Sequence, residues 1–247
     1  MHLVLILVAI IIFIVFATSR LKLNPFITLL LASFLAAFAF GLPLVDIEKT
    51  IRAGFGNILG YIGLVIVLGT IIGVILERTG AAIVMAETII KILGQKFPTL
   101  TMSLVGFIVS IPVFCDSGYV ILNSLKRSMA RSLSVSPVSM TVALSTGLFA
   151  THTLVPPTPG PIAAAGNLGL EDNLGMVIGV GLVFAIIAAM AGLFWASRCK
   201  NLSSTELEQA EEAFEEAKQH YGELPSAGKA FAPIFIPILL ICLGSVA

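Results

Sequence analysis

The chain has 247 residues, of which 57% are hydrophobic and 11% charged, with a formal net charge of zero. That composition and a mean hydropathy of +1.05 exclude an ordinary water-soluble domain, and the lack of a basic stripe excludes nucleic acid as a partner. Cys115, Cys199 and Cys242 are isolated, so neither a disulfide framework nor a zinc site is expected, and no cofactor is called for.

The apolar residues come in runs of about 17 to 25, the length that roughly 30 Å of hydrocarbon demands of a helix. The lipid bilayer is therefore the solvent for most of the chain, and the expected fold class is an all-α, polytopic integral membrane protein. A first span is expected near 3–18. Its sequence, MHLVLILVAIIIFIVFATSRLK, lacks a basic leading region and is followed by positive charge instead of a small-residue cleavage site, so it reads as a retained span. Further spans follow near 24–42 and 57–76. Around the latter, Gly56 with Gly60 and Gly69 with Gly73 have the spacing of close helix contact. Residues 81–93, AAIVMAETIIKIL, are too short to cross. Glu87 and Lys91 stand four apart there, which supports an interfacial helix.

The run at 99–125 raises a topological problem. Arg20 and Lys22 follow the first span, and Arg78, Lys91 and Lys96 follow the third. Lys126, Arg127 and Arg131 follow the fourth, and Arg198 and Lys200 the sixth. The positive-inside rule wants all of them in the cytoplasm, which simple alternation forbids if 99–125 crosses once. In SIPVFCDSGYV, residues 110–120, Pro112 interrupts a helix and Ser117-Gly118 permits a turn. A re-entrant hairpin at 99–125 then leaves only Lys49 and Arg52 of the 14 Lys and Arg residues outside. A single kinked span that violates the charge rule is the alternative. On the hairpin reading the N-terminus lies outside.

Next comes a broken span at 137–168. In LVPPTPGPIAAAG, the prolines 156, 157, 159 and 161 cannot donate the amide hydrogen bonds of a continuing helix, and a second half-helix can start at Pro161. A span near 174–196 completes a membrane domain over 1–200. Residues 201–229 form an acidic cytoplasmic linker with a helix at 203–221, whose Ser203 and Glu206 have capping-box spacing. Residues 230–247 read as the start of a further, truncated span.

Backbone left unpaired in hydrocarbon costs several kcal/mol per group, so breaks at membrane depth survive only where protein or a wet cavity satisfies them. The amides at half-helix N-termini are suited to hold a carboxylate without a buried arginine, and no Lys or Arg occurs between Arg131 and Arg198. Discontinuous helices meeting near the midplane are the recurring construction of secondary transporters. Small polar groups accompany both breaks: Ser117, Asn123, Ser145, Thr146, Thr151, Thr153, Thr158 and Asn167. Asp116 is the only charged residue between Lys96 and Lys126, and His152 the only titratable one between Arg131 and Glu171. Intramembrane ionisable residues are functional candidates. Each also has a structural reading: Asp116 as an acceptor shaping the tip, His152 as a partner for broken backbone, and the prolines as a simple kink.

The segment IPVFCDSGYVIL followed by THTLVPPTPGPIAAAGNLG resembles the paired signatures of the gluconate permease family. These are proton symporters of gluconate and related sugar acids, with a D-serine branch, in bacterial inner membranes. The resemblance implies an inverted-repeat ion-transporter architecture of which this chain is the first half. It also implies site residues: Asp116, Ser117 and Gly118 at the tip, and His152, Pro156, Pro157, Thr158, Pro159 and Gly160 at the break. Many members have a histidine where this chain has Thr158. The members are also longer, so a second hairpin and broken helix are expected to lie in a missing C-terminal half or a second copy in a homo-oligomer.

The expected function is proton-coupled uptake of a small hydroxylated carboxylate, with H⁺ as coupling ion and Na⁺ as the other possibility. Asp116, Ser117, Gly118, Thr151, His152, Pro157, Thr158, Gly160 and Asn167 are the expected substrate residues, and Asp116 and His152 the proton-coupling ones. A noncatalytic subunit of a split transporter is a second reading. An intramembrane enzyme built on Ser145 and His152 is a third, and nothing marks Ser145 as activated.

Overall fold

The computed structural model describes residues 2–93, 96–199 and 221–244. Its regular structure is helical, and no strand occurs among the described residues: α1 (His2–Ser19), α2 (Pro25–Ala39), α3 (Leu44–Arg78), α4 (Ala81–Leu93), α5 (Pro98–Val109), α6 (Cys115–Ser132), α7 (Pro137–Leu154), α8 (Pro159–Asn167), α9 (Leu174–Arg198) and α10 (Ala227–Gly244). Proline opens α2, α5, α7 and α8, the position where its missing N–H costs nothing. Asn24 and Ser136 add side-chain caps, accepting from Phe26 N and Ser139 N.

Among the described residues, α1, the interrupted pair α7–α8 and α9 are long and apolar enough to cross a membrane. Ile66–Arg78 with Ala81–Leu93 is a fourth if that pair, bent by 71°, counts as one span. The expected helix at 203–221 lies outside the described residues, and α10 begins at Ala227, slightly before the boundary expected at 230.

The chain divides into two compact units, Met1–Tyr61 and Ile62–Ala247, with the boundary inside α3. In the first, α1 packs on α2 with Ala17, Ala32 and Ala37 buried, while Leu, Ile and Phe side chains face outward, as lipid contact requires. The start of α3 belongs to this unit and extends the expected span at 57–76 back to Leu44. Asp46, Glu48, Lys49 and Arg52 are thus helical, with Glu48 and Arg52 paired at 3.4 Å across one exposed turn.

In the second unit three helices reveal how the chain reverses. Thr151 Oγ1 donates to Phe107 O at 2.8 Å, and Gly147, one turn earlier on α7, lies against Ser103, one turn earlier on α5. Contacts that advance together along both helices make α5 and α7 parallel. On α6 the order is opposite: Gly118 meets Leu148, whereas Lys126 Nζ donates to Thr141 Oγ1 at 2.9 Å. With α5 parallel and α6 antiparallel to the same helix, α5–α6 is a hairpin.

Apolar lipid supplies little hydrophobic drive between helices, so these contacts depend on close packing at small residues. A Cβ at Gly106 would stand 2.6 Å from Leu144 O, so α5 and α7 touch backbone to backbone. α9 runs back along α7, with Ser139 Oγ donating to Ala196 O at 2.8 Å and Gly181 against Leu154 O.

α4, expected as an interfacial helix, packs into the protein. The chain turns at Gly80 (φ +69°), and Ala81, Ala82, Ile83, Met85, Ala86 and Ile89 are buried in the same core as α5, α6 and α7. Its run of small residues is what admits it there.

Candidate functional site

The hairpin tip is the segment Ser110–Phe114. Pro112 ends the ladder of α5, and α6 starts anew at Cys115 with Asp116 in its first turn. Gly118 N donates to Phe114 O at 2.8 Å, closing that turn. A carboxylate at this end of a helix is favoured by the aligned peptide dipoles. Asp116 is exposed in the chain as described, and Cys115 Sγ lies 3.8 Å from its Oδ1.

The second break follows Leu154. Val155 N still donates to Thr151 O at 2.9 Å, then the helix stops, and Thr158 precedes the new start at Pro159. α8 thus begins two residues earlier than Pro161. The four prolines have a consequence for anion binding. Pro159 and Pro161 carry no amide hydrogen, and Ile162 N donates to Thr158 O at 3.4 Å. Gly160 N–H is what the first turn of α8 has left to offer, and Gly160 is exposed. The generous set of amides expected from a half-helix N-terminus is reduced here by the residues that create the break.

The two breaks stand at one level. Because α5 runs parallel to α7 with Phe107 beside Thr151, the tip that follows α5 reaches the height of the break that follows Leu154. The Phe114 and His152 rings meet edge-on, with centroids 5.7 Å apart and planes at 63°. His152 Nδ1 is buried with no hydrogen-bond partner among the described residues.

A third element was not legible in the sequence. Ile66, Gly69 and Thr70 of α3 line a small cavity of about 20 Å³ together with Ile111–Phe114 of the tip and Pro157–Pro159 of the break. This is room for roughly one water. Gly73, one turn on, lies against Pro112 O. The only sequence signal was the Gly69/Gly73 spacing; the other expected pair, Gly56 and Gly60, faces open space.

Each expected site residue thus has a place. His152 meets the tip through the Phe114 ring, Asp116 and Ser117 lie in the first turn of α6, and Gly160 is at the head of α8. Thr151 and Thr158 are buried and spend their hydroxyl protons on scaffold, Thr151 on Phe107 O and Thr158 Oγ1 on Val155 O at 2.6 Å. Gly118 is a packing position, since a Cβ there would stand 3.0 Å from Leu148 Cδ2. Pro157 lines the cavity through the same segment as Thr158. Asn167 ends α8, exposed. At 1.5 Å per residue it stands about 12 Å along the helix from Pro159, so the structure does not bring it to the junction. No cluster of His, Cys, Asp and Glu that could hold a metal occurs among the described residues.

Comparison with known proteins gives a consistent result. The sequence profile of the GntP family permeases matches residues 1–247. An uncharacterized permease of Haemophilus influenzae is 35% identical over 241 residues, covering 94% of this chain and 49% of that protein. A gluconate permease of Pseudomonas aeruginosa is 35% identical over 232 residues, covering 93% and 51%. The D-serine transporter DsdX of Escherichia coli is 32% identical over 241 residues, covering 96% and 53%. The chain therefore spans about half the length of these relatives. No solved structure matches it significantly.

Proposed function

Since this chain belongs to the GntP permease family, a family of membrane permeases and not of enzymes, we propose that it forms the N-terminal half of a proton-coupled symporter. The solute is gluconate or a related small hydroxylated carboxylate, with a D-serine-like amino acid as the nearest alternative. The site is the bacterial inner membrane, with the N-terminus outside. Relatives named gluconate permease and D-serine transporter support the solute class.

The observation that carries this reading is the meeting of two interrupted helices at one level, Phe114 against His152 with Asp116 in the first turn of the helix that follows the tip. Broken backbone inside a membrane protein is tolerated where it lines a cavity, and there it supplies polar groups to a solute. In this chain the available groups are the Asp116 carboxylate, the Ser117 hydroxyl, the His152 imidazole and Gly160 N–H. A hydroxylated acid needs donors for its carboxylate and both donors and acceptors for its hydroxyls, and this set provides them. Asp116 and His152 are the groups that can exchange a proton during the cycle. An inverted partner half carrying a second hairpin and broken helix would complete the site.

Uptake of radiolabelled gluconate and D-serine by proteoliposomes tests the reading. The chain is assayed alone and reconstituted with the C-terminal half of a relative. Proton-gradient-driven accumulation in the reconstituted pair is expected. A sodium-driven response would replace the coupling ion, and no uptake in either preparation would leave the chain as a noncatalytic subunit.

A further inference from the structure

We propose that the groove between α3 and the returning arm α6 holds a second solute station, an antechamber for a small polyhydroxylated carboxylate, on the side of the breaks that bears Arg78 and Arg127. The proposal rests on the transporter reading above and adds a site to it.

Two helix faces make the groove. On α6, Asp116, Val120, Asn123, Ser124 and Arg127 are spaced by four, three, one and three residues and so share one stripe. On α3, Ile66, Gly69, Thr70, Gly73 and Glu77 share another. At the upper end, Gly73 of the α3 stripe lies against Pro112 O of the tip that leads into α6. The lower parts of the two stripes line a separate cavity of about 350 Å³, bounded by Glu77, Val120, Ile121, Asn123, Ser124, Arg127 and Tyr221. From Asp116 to Asn123 is about 10 Å along α6, and from Gly73 to Glu77 about 6 Å along α3. Junction and cavity are therefore successive stations on one groove.

The lower cavity carries, on a largely apolar surface, the polar groups that the solute class requires. A volume of about 350 Å³ lies at the lower end of the range of small-molecule sites. Arg127 is a guanidinium suited to a carboxylate. Glu77 is an acceptor for sugar hydroxyls, and Asn123, Ser124 and Tyr221 can donate or accept. The junction, at about 20 Å³, is too small in this state for such a solute, whereas the antechamber is not.

Thiol protection tests the station without requiring turnover. Ser124→Cys and, as a second probe, Asn123→Cys are made in the chain reconstituted in lipid nanodiscs with the C-terminal half of a relative, with Gly160→Cys reporting on the junction. Maleimide modification is followed by site-resolved mass spectrometry, which separates these thiols from the native cysteines. Excess gluconate is expected to slow modification at 123 and 124, and mannitol, the uncharged polyol, is not. In Arg127→Gln the gluconate affinity read at 124 is expected to fall about tenfold, or roughly 1.4 kcal/mol, with protection at 160 retained. Protection at 160 but not at 123 or 124 overturns the antechamber and leaves the transporter reading standing. Protection at none of the three overturns both. Failure of both 123 and 124 to react overturns the open groove, and unchanged affinity in Arg127→Gln overturns the carboxylate assignment.

Discussion

Gly73 of α3 lies directly against the carbonyl of Pro112 at the hairpin tip: a Cβ built on Gly73 would stand 3.0 Å from that oxygen and 3.9 Å from the Phe114 ring. The tip thus rests on α3 through backbone, and any side chain at 73 must displace it. Gly73→Ala is expected to cost about 1–3 kcal/mol of stability through overpacking. Its larger effect should fall on transport, because the displaced segment carries Phe114 toward His152. Melting temperature and uptake measured together check this. Gly60→Ala, in open space on the same helix, is the matched substitution expected to change neither.

The α5–α7 contact gives a second prediction. Gly147 lies against the Ser103 carbonyl and Phe107 N, while Gly106 meets Leu144 O and Leu148 N. Neither backbone can yield as a flexible side chain would. Gly147→Ala is expected to destabilise the hairpin more than Gly73→Ala does, since it forces apart two helices packed along their length. Thermal unfolding in detergent ranks the two variants, and an equal or smaller shift for Gly147→Ala contradicts the packing account.

Thr151 is a site residue by sequence but scaffold by geometry. Its hydroxyl donates to Phe107 O at 2.8 Å, joining the broken span to the hairpin near both breaks. Hydrogen bonds between membrane helices contribute about 0.6 kcal/mol on average. Thr151→Val, which keeps the shape, is expected to lower stability by roughly that amount while leaving solute affinity unchanged; Thr151→Ser should behave as the parent. A change in KM for Thr151→Val would return the residue to the solute.

These cases indicate what was legible in the sequence. The breaks were, because a proline's missing N–H is a local property: Pro112 and the run from Pro156 to Pro161 interrupt a helix whatever surrounds them. The turn of the hairpin was legible for the same reason, since Pro112 and Ser117-Gly118 mark it locally. The third wall was not legible. Ile66, Gly69 and Thr70 matter because of what α3 packs against, and no local signal marks that. Asn167 shared a polar type with its neighbours but was carried along α8 away from them. Lys126 read as a loop charge, whereas it is 5% exposed and faces α7.

Lys126 supports a prediction of its own. Its ammonium donates to Thr141 Oγ1 at 2.9 Å and Tyr119 OH at 3.4 Å, with the Tyr119 ring centroid at 5.2 Å. No carboxylate lies within ion-pair distance among the described residues. Hydroxyls and a ring face offset little of the desolvation of a buried charge, and apolar replacements of similar volume are often neutral or stabilising. Lys126→Met is expected to leave the melting temperature unchanged or raised. Lys126→Ala, which empties the same volume, should cost about 2 kcal/mol or more. A loss in Lys126→Met as large as in Lys126→Ala would mean that the charge itself is needed.

The last prediction concerns the two ionisable groups at the junction. His152 Nδ1 is buried without a hydrogen-bond partner among the described residues, and Asp116 stands in the first turn of the helix that follows the tip. A purely structural histidine would be expected to satisfy a backbone carbonyl freed by the break. At the break Val155 O is taken by the Thr158 hydroxyl and not by the imidazole. The orphaned nitrogen is thus left for a group that arrives during the cycle, a proton or a solute hydroxyl. Asp116→Asn and His152→Gln keep size and polarity while removing the carboxylate charge and the titratable ring. In proteoliposomes holding the complete transporter, at least one should abolish accumulation driven by an imposed pH gradient while preserving solute exchange at equal pH. Exchange isolates binding and reorientation from coupling, so its loss in both variants would assign the residues to the solute alone. Undiminished gradient-driven accumulation in both would remove Asp116 and His152 from the coupling mechanism.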